Sequence, residues 1–307
     1  MTRPPDRGER PVDAQILDSV ATLTIEVRRV VQGFLGGSHS SLHLSSSVEF
    51  AEHKKYSPGD DIRHIDWRAY ARTDRHFVKT REREVILRGL VLVDCSASMG
   101  YTGSRAQLSK LDYARVLAGA LAHILVRQGD AAGLMPFAAK VEPHIPPLGN
   151  PEHLSALLAH LSHVSVQPGK TAYVDAIHAA ADLLRNRALV IAISDLWAAG
   201  RETEIALSSL SARGHDVAVL RVLSPDEIDL PFSRVTEFVD PEDGARIEVD
   251  PALVREDYRR ALAEDRERWR RVAGQSDLDL MNVVTSTPPE ATLADFAARR
   301  HRVGRRG

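Results

Sequence analysis

Apolar residues recur at helical spacing early in the chain: Ile16, Val20, Leu23, Val27, Val30 or Val31, and Phe34 form one stripe, which Gly36 and Gly37 end. Side chains three, four and seven positions apart share a helix face, so the stripe predicts one amphipathic helix packed on a larger body. The next stretch, "SHSSLHLSSSVEFAEHKKYSPGDDIRHIDWRAYARTDRHFVKTREREV", is polar and has a turn signal at Ser57-Pro58-Gly59-Asp60. It predicts an irregular strap with short strands. After Glu84 the pattern alternates. Apolar runs at about 85–94, 130–137, 140–145, 188–194, 215–223 and 278–284 predict strands, and amphipathic segments at about 108–128, 151–162, 173–186 and 202–212 predict helices between them. Such alternation implies an α/β fold: a doubly wound, mostly parallel sheet covered on both faces, with right-handed crossovers.

"RVTEFVDPEDGARIEV" interrupts this pattern near 234–249 and predicts a hairpin turning at Pro241 to Gly244. Asp250 as N-cap and Pro251 at the first helical position open a long helix through Tyr258, Leu262, Trp269 and Val272. A short helix near Leu293 and Phe296 then leads into the basic tail "RRHRVGRRG". The resulting division is a disordered tail over 1–12, a helix and strap over 13–84, and an α/β domain over 85–303 that carries the hairpin.

Composition narrows the class. A chain of 307 residues with 43% hydrophobic content can bury a large core. No apolar run approaches the roughly 20 residues that cross a bilayer, and "MTRPPDRGERPVD" lacks the apolar segment of a signal peptide, so the expected location is cytoplasmic. The single cysteine, Cys95, excludes an internal disulfide framework and a Cys-cluster zinc site. A net charge of -2 argues against a surface built throughout for nucleic acid.

Candidate chemistry concentrates where strands end. "VILRGL" followed by "VLVDCSASMG" is a buried strand that delivers Asp94, Ser96 and Ser98 to the end of a sheet. Two further loops reach the same end: "PGKTAY", with Gly169, Lys170 and Thr171, and "IAISDLW", with Ser194 and Asp195. In an open parallel sheet, ligands bind beyond the carboxyl ends of the strands, near the point where strand order reverses. Two carboxylates (Asp94, Asp195) and three hydroxyls (Ser96, Ser98, Thr171) are hard oxygen donors that suit Mg²⁺ or Mn²⁺. Two carboxylates among neutral hydroxyls leave a divalent ion under-neutralised, so a partner's carboxylate is a natural completing ligand. The plainer alternative is that these residues cap a helix and satisfy loop backbone groups.

Other motifs carry less. A nucleophilic Cys95 needs a neighbouring base or cation that no signature supplies, and strand alternation points its side chain away from the loop mouth. "PGKT" matches the end of a phosphate loop, but Val164 stands where that loop needs glycine. In the strap, Arg63, His64, Asp66, Trp67 and Arg68 form a basic and aromatic cluster extended by Arg72, Arg75 and Lys79. The strap's aspartates can pair with these arginines while Trp67 anchors it, or the cluster can dock a partner. His64 and Asp66 could instead act as acid and base, and Trp67, Tyr70 and His76 could stack on nucleic acid.

"DCSAS" followed by the Thr171 and Asp195 loops resembles the metal-ion-dependent adhesion site of von Willebrand factor type A domains. The strap from "EFAEHKKYSPGDDIRHIDW" to "REREV" is similar to the segment that marks the bacterial domain-of-unknown-function family fifty-eight. Together these resemblances span about residues 36–303. One departure stands out: many A domains have Asp-Gly in the third loop, where this chain has Asp195-Leu196. The resemblance implies a Rossmann-like, von Willebrand factor type A-like domain that is a binding module rather than an enzyme. It also implies a MoxR-type AAA+ ATPase as partner, a client protein, and engagement of an acidic residue through Mg²⁺. A metal-dependent hydrolase using His64 and Asp66, and nucleic-acid binding through the strap, are the alternatives.

Overall fold

The structure is a computed structural model, and it describes residues 14–36, 53–55, 70, 77–79 and 86–303. The chain divides into two units, Ser45–Ile86 and the remainder, Met1–Leu44 with Leu87–Gly307. In the smaller unit, β1 (His53–Lys55) pairs antiparallel with β2 (Phe77–Lys79), His53 facing Lys79. The strap candidates Arg63, His64, Asp66, Trp67 and Arg68 lie outside the described residues.

The larger unit is organised by six strands: β3 (Arg88–Asp94), β4 (Ala131–Phe137), β5 (Ile145–Leu148), β6 (Leu189–Ser194), β7 (Asp216–Leu223) and β10 (Asp279–Val284). Their order across the sheet is β10-β7-β6-β3-β4-β5, and every pairing is parallel except that of β5 with β4. The unbroken apolar runs in β3 and β6 belong to central strands buried on both faces. Alternation sorts their side chains: Val91 and Val93 enter one core, Leu90 and Leu92 the other.

The first core is closed by α1 (Ala14–Gly36), α2 (Lys110–Arg127), α3 (Pro151–His163) and α8 (Pro289–Val303). The stripe expected in α1 is buried there at Leu23, Val27, Val30, Val31 and Phe34. At about 1.5–3 kcal/mol per fully buried aliphatic or aromatic side chain, this face holds the helix down. The approach is closest at Gly119 of α2, where an added Cβ would stand 2.6 Å from Val27 and 3.0 Å from Leu158. The second core is closed by α4 (Tyr173–Leu183), α5 (Arg201–Ala212) and α7 (Pro251–Gln275), the last through Trp269. A short α6 (Pro225–Asp229) follows β7, and β8 (Thr236–Val239) with β9 (Arg246–Val249) forms a separate two-stranded hairpin.

One strand departs from the sequence pattern. The expected strand at 140–145 is replaced by β5 at Ile145–Leu148, which reads Ile-Pro-Pro-Leu. Prolines cannot donate to a ladder and are tolerated at a sheet edge, and β5 is the outermost strand. Gly133 of β4 admits this edge, since a Cβ there would meet Ile145 O and Pro147 N at 2.8 Å.

From β3 the chain moves outward through β4 and β5 on one side, then returns to β6 and continues through β7 and β10 on the other. Strand order therefore reverses between β3 and β6, whose carboxyl ends carry Asp94 and Asp195.

Candidate functional site

Asp94 ends β3 on the same face as Leu90 and Leu92, and Ser194 ends β6 on the same face as Val190 and Ala192. This shared parity on adjacent strands lets Ser194 Oγ donate to Asp94 Oδ2 at 2.6 Å. Asp94 Oδ1 accepts from the backbone N–H of Ser96 at 2.9 Å, which folds the strand end into an Asx turn. The turn brings the Ser96 and Ser98 hydroxyls to 3.1 Å from each other. All three side chains are buried.

Burial, and behind it the charge of Asp195, pushes the Asp94 carboxyl up to about 7, against the hydrogen bonds from Ser194 and Ser96. Burial and the same two aspartates raise the Tyr173 phenol, which lies 3.5 Å from Ser194 Oγ and donates to Trp197 O at 3.1 Å. The centre of the site is therefore a buried place where two acidic groups lie close enough to oppose each other's ionisation.

Asp195 faces a different partner. Its Oδ2 pairs with Lys110 Nζ at 2.7 Å, while Oδ1 accepts from Trp197 N at 2.9 Å. Lys110 opens α2 and also reaches Glu227 Oε1 at 2.5 Å. Glu227 in turn accepts from Ser224 N at 2.6 Å, closing a capping box at the start of α6. Arg221 donates through Nε to the Asp195 carbonyl at 3.0 Å and pairs with Asp265 of α7 at 2.6 Å. The third loop is thus held by side chains from β7 and α2 and, through Arg221, by α7.

Leu196, which follows Asp195, has φ at +55°. This left-handed turn favours glycine, and the loop offsets the strain by burying the leucine in the second core and bonding its N–H to Ser194 Oγ at 2.9 Å.

Thr171 precedes α4 in a loop that turns at Gly169, φ +104°. Its hydroxyl donates to Glu242 Oε1 at 3.0 Å, and Glu242 comes from the turn between β8 and β9. Burial raises the Glu242 carboxyl, the Thr171 bond lowers it, and Asp195 and Asp240 raise it further. Lys170 beside it is exposed. Cys95 sits in the first core and donates through Sγ to Phe137 O at 3.1 Å, and burial pushes its thiol up to about 12, so it is a core filler rather than a nucleophile.

The structure thus joins Asp94, Ser96, Ser98 and Ser194 in one hydrogen-bonded group, and turns Asp195 toward Lys110 and Thr171 toward Glu242. Ser194 was visible in the sequence only as the end of a strand. Lys110 and Glu242 gave no signal there, the first being one charge at a helix start and the second one acid in a turn. Glu227 did leave a mark, the Ser-Pro-Asp-Glu string of a capping box at 224–227.

Among the described residues, no three His, Cys, Asp or Glu side chains gather as a metal-ligating group. The donors at the head of β3 are instead one carboxylate and two hydroxyls. They are hard oxygen donors of the kind a small hard cation accepts, and here the Ser96 and Ser98 hydroxyls hydrogen-bond to each other at 3.1 Å.

Fold and site together define an α/β protein with a buried oxygen-donor group at the switch point of a mostly parallel sheet. The chain belongs to the family described as "Protein of unknown function DUF58", which matches residues 52–268. An uncharacterized protein of Mycobacterium tuberculosis is 27% identical over 294 residues, covering 94% of this chain and 91% of that protein. Among solved structures, BatB of Bacteroides thetaiotaomicron is similar at 19% identity and a TM-score of 0.48, covering 70% of this chain and 99% of that one. The VWA domain of SpRpn10 is similar at 11% identity and a TM-score of 0.40, covering 68% and 94%. No helix among the described residues is long and apolar enough to cross a membrane.

Proposed function

We propose that this chain is a metal-dependent protein-binding module rather than an enzyme, in which Asp94, Ser96 and Ser98 hold Mg²⁺ or Mn²⁺, with Thr171 and Asp195 on the neighbouring loops, and present it to an acidic residue of a partner. The observation that carries this reading is the pairing of a buried carboxylate, Asp94, with two hydroxyls 3.1 Å apart at the switch point of the sheet. When bound, the cation supplies a positive centre that a partner's carboxylate completes. Asp94 and the two serines place it. Asp195, already balanced by Lys110, contributes charge close by without adding a full second countercharge. That shortage leaves the cation electrophilic toward an outside acid.

Exposed apolar side chains border this end of the sheet on three loops: Tyr101, Val166 and Trp197. Aromatic residues of this kind, tryptophan above all, dominate binding energy at interfaces. From the family resemblance, the partner is a MoxR-type AAA+ ATPase acting on a client protein, with this chain as its adaptor. The test is capture of a MoxR-type AAA+ ATPase from the same organism, using the full-length protein in Mg²⁺. Asp94→Ala or a chelator should abolish capture while the circular dichroism spectrum stays unchanged; capture that survives both overturns the reading.

A further inference from the structure

The β8–β9 hairpin carries an acid to the site from within the chain. Its strands pair with each other, from Thr236 facing Val249 to Val239 facing Arg246, and with no strand of the main sheet. The turn is braced internally. Asp240 Oδ1 accepts from Glu242 N and Asp243 Oδ1 from Ala245 N, both at 2.8 Å; Gly244 N donates to Asp240 O at 2.9 Å, and Gly244 takes φ +76°. Against that self-contained turn, the Glu242 side chain is directed outward, to the Thr171 hydroxyl 3.0 Å away.

Two physical points give this contact meaning. A threonine hydroxyl has a single proton to donate, so while it serves Glu242 it cannot serve the carboxylate of another molecule. A lone two-stranded hairpin is marginally stable, so the anchor at its tip adds to the Phe232–Phe238 ring contact in holding it in place. Glu242 is thereby joined to Thr171, on the loop that turns at Gly169 and precedes α4.

We propose that Glu242 is the chain's own acidic ligand for this site: the hairpin turn holds the place of a partner's carboxylate, and an acidic partner binds by displacing it. This rests on the reading of the site as a receptor for an acidic partner, and it adds what that partner resembles, a glutamate presented by a tight turn. It also makes the resting site self-occupied, so binding competes with an intramolecular contact whose effective concentration is high.

The experiment uses the full chain and two probes: Mn²⁺ alone, and a cyclic peptide copying residues 236–249. Hydrogen exchange of the hairpin amides and peptide binding in Mn²⁺ are measured for the wild type, Glu242→Ala and Thr171→Val. Both variants should speed exchange across 236–249 by about tenfold or more, as loss of one charge-assisted hydrogen bond implies. Glu242→Ala should also bind the peptide at least about tenfold more tightly than the wild type does. Unchanged exchange in both variants, or equal peptide affinity in wild type and Glu242→Ala, overturns the inference. Calorimetry with Mn²⁺ on the wild type and Asp94→Ala judges the underlying reading separately. Loss of Mn²⁺ binding in Asp94→Ala together with unchanged hairpin exchange in Glu242→Ala and Thr171→Val sinks the inference alone, whereas Mn²⁺ binding indifferent to Asp94 sinks both.

Discussion

Lys110 Nζ lies 2.7 Å from Asp195 Oδ2 with each side chain 1% exposed, an ion pair sealed at the carboxyl edge of the sheet. Burial alone would favour the neutral amine, but Asp195 and Glu227 together hold the lysine above its ordinary pKa, so it stays charged. Removing one member of such a pair strands the other in a medium that solvates it poorly. Lys110→Met should therefore lower stability by about 3–5 kcal/mol in urea unfolding. The double variant Lys110→Met with Asp195→Asn should lose clearly less than the sum of the two single changes. Strict additivity would show that the two charges are not coupled.

The frame of this site was legible in the sequence because it is local. An apolar run ending in Asp-Cys-Ser-Ala-Ser states where β3 stops and which hydroxyls follow, and Ile-Ser-Asp does the same for β6. The two residues that neutralise and cover the site were not legible. Lys110 meets Asp195 across 85 positions and Glu242 meets Thr171 across 71, and no periodicity encodes a meeting at such separation. β5 was misplaced because its two prolines look like turn residues, when at an edge strand they are harmless.

Leu196 inverts a familiar ranking. With φ at +55° and its side chain buried, replacement by alanine removes packing but keeps the backbone strain, while glycine removes both. Leu196→Ala and Leu196→Gly should each be less stable than wild type by about 2 kcal/mol or more. Leu196→Gly should nevertheless be the better of the two by about 1 kcal/mol, opposite to the usual order of alanine over glycine. Denaturation midpoints of the three proteins decide it, and an alanine variant at or above the glycine one refutes the strain.

Asp94 ties stability to pH. Burial and Asp195 hold its proton in the folded state up to about pH 7, whereas the unfolded chain releases it near 3.8. Between these values the folded state binds more protons, so the contribution of Asp94 makes stability fall as pH rises from about 4 to about 7. The titratable groups facing it are Asp195, balanced by Lys110, and the Tyr173 phenol. Asp94→Asn should match the wild type near pH 4 and exceed it at pH 8 in the absence of divalent cations. If the site takes Mn²⁺ as proposed, the ion should raise the wild-type unfolding midpoint more at pH 8 than at pH 5, because cation and proton compete, and should leave the asparagine variant unmoved. A constant gap between the two proteins across this range would remove the assignment.

Gly119 sets how closely the N-terminal helix approaches the body. A methyl there would come within 2.6 Å of Val27, a stiff β-branched side chain with no easy alternative rotamer. Gly119→Val should lower stability by about 1–3 kcal/mol through overpacking, despite valine's larger apolar surface. Limited proteolysis should find new cleavage in α1 before any in the sheet. Cleavage that begins elsewhere would mean that the strain is absorbed by α3.

Arg221 gives the candidate site a mechanical connection. Its guanidinium Nε holds the main-chain carbonyl of Asp195, and its Nη2 is fixed to Asp265 on α7. It works as a tie rod between a long charged helix and a loop whose neighbouring side chains are buried. Asp265 sits in "LAEDRERWRR", a string that reads as solvent-facing charge, yet its carboxylate is joined through a rigid planar group to the backbone carbonyl of Asp195. Loss of the Asp265 carboxylate would therefore leave a buried guanidinium at the carboxyl end of β6 without that partner, rather than merely removing a surface charge.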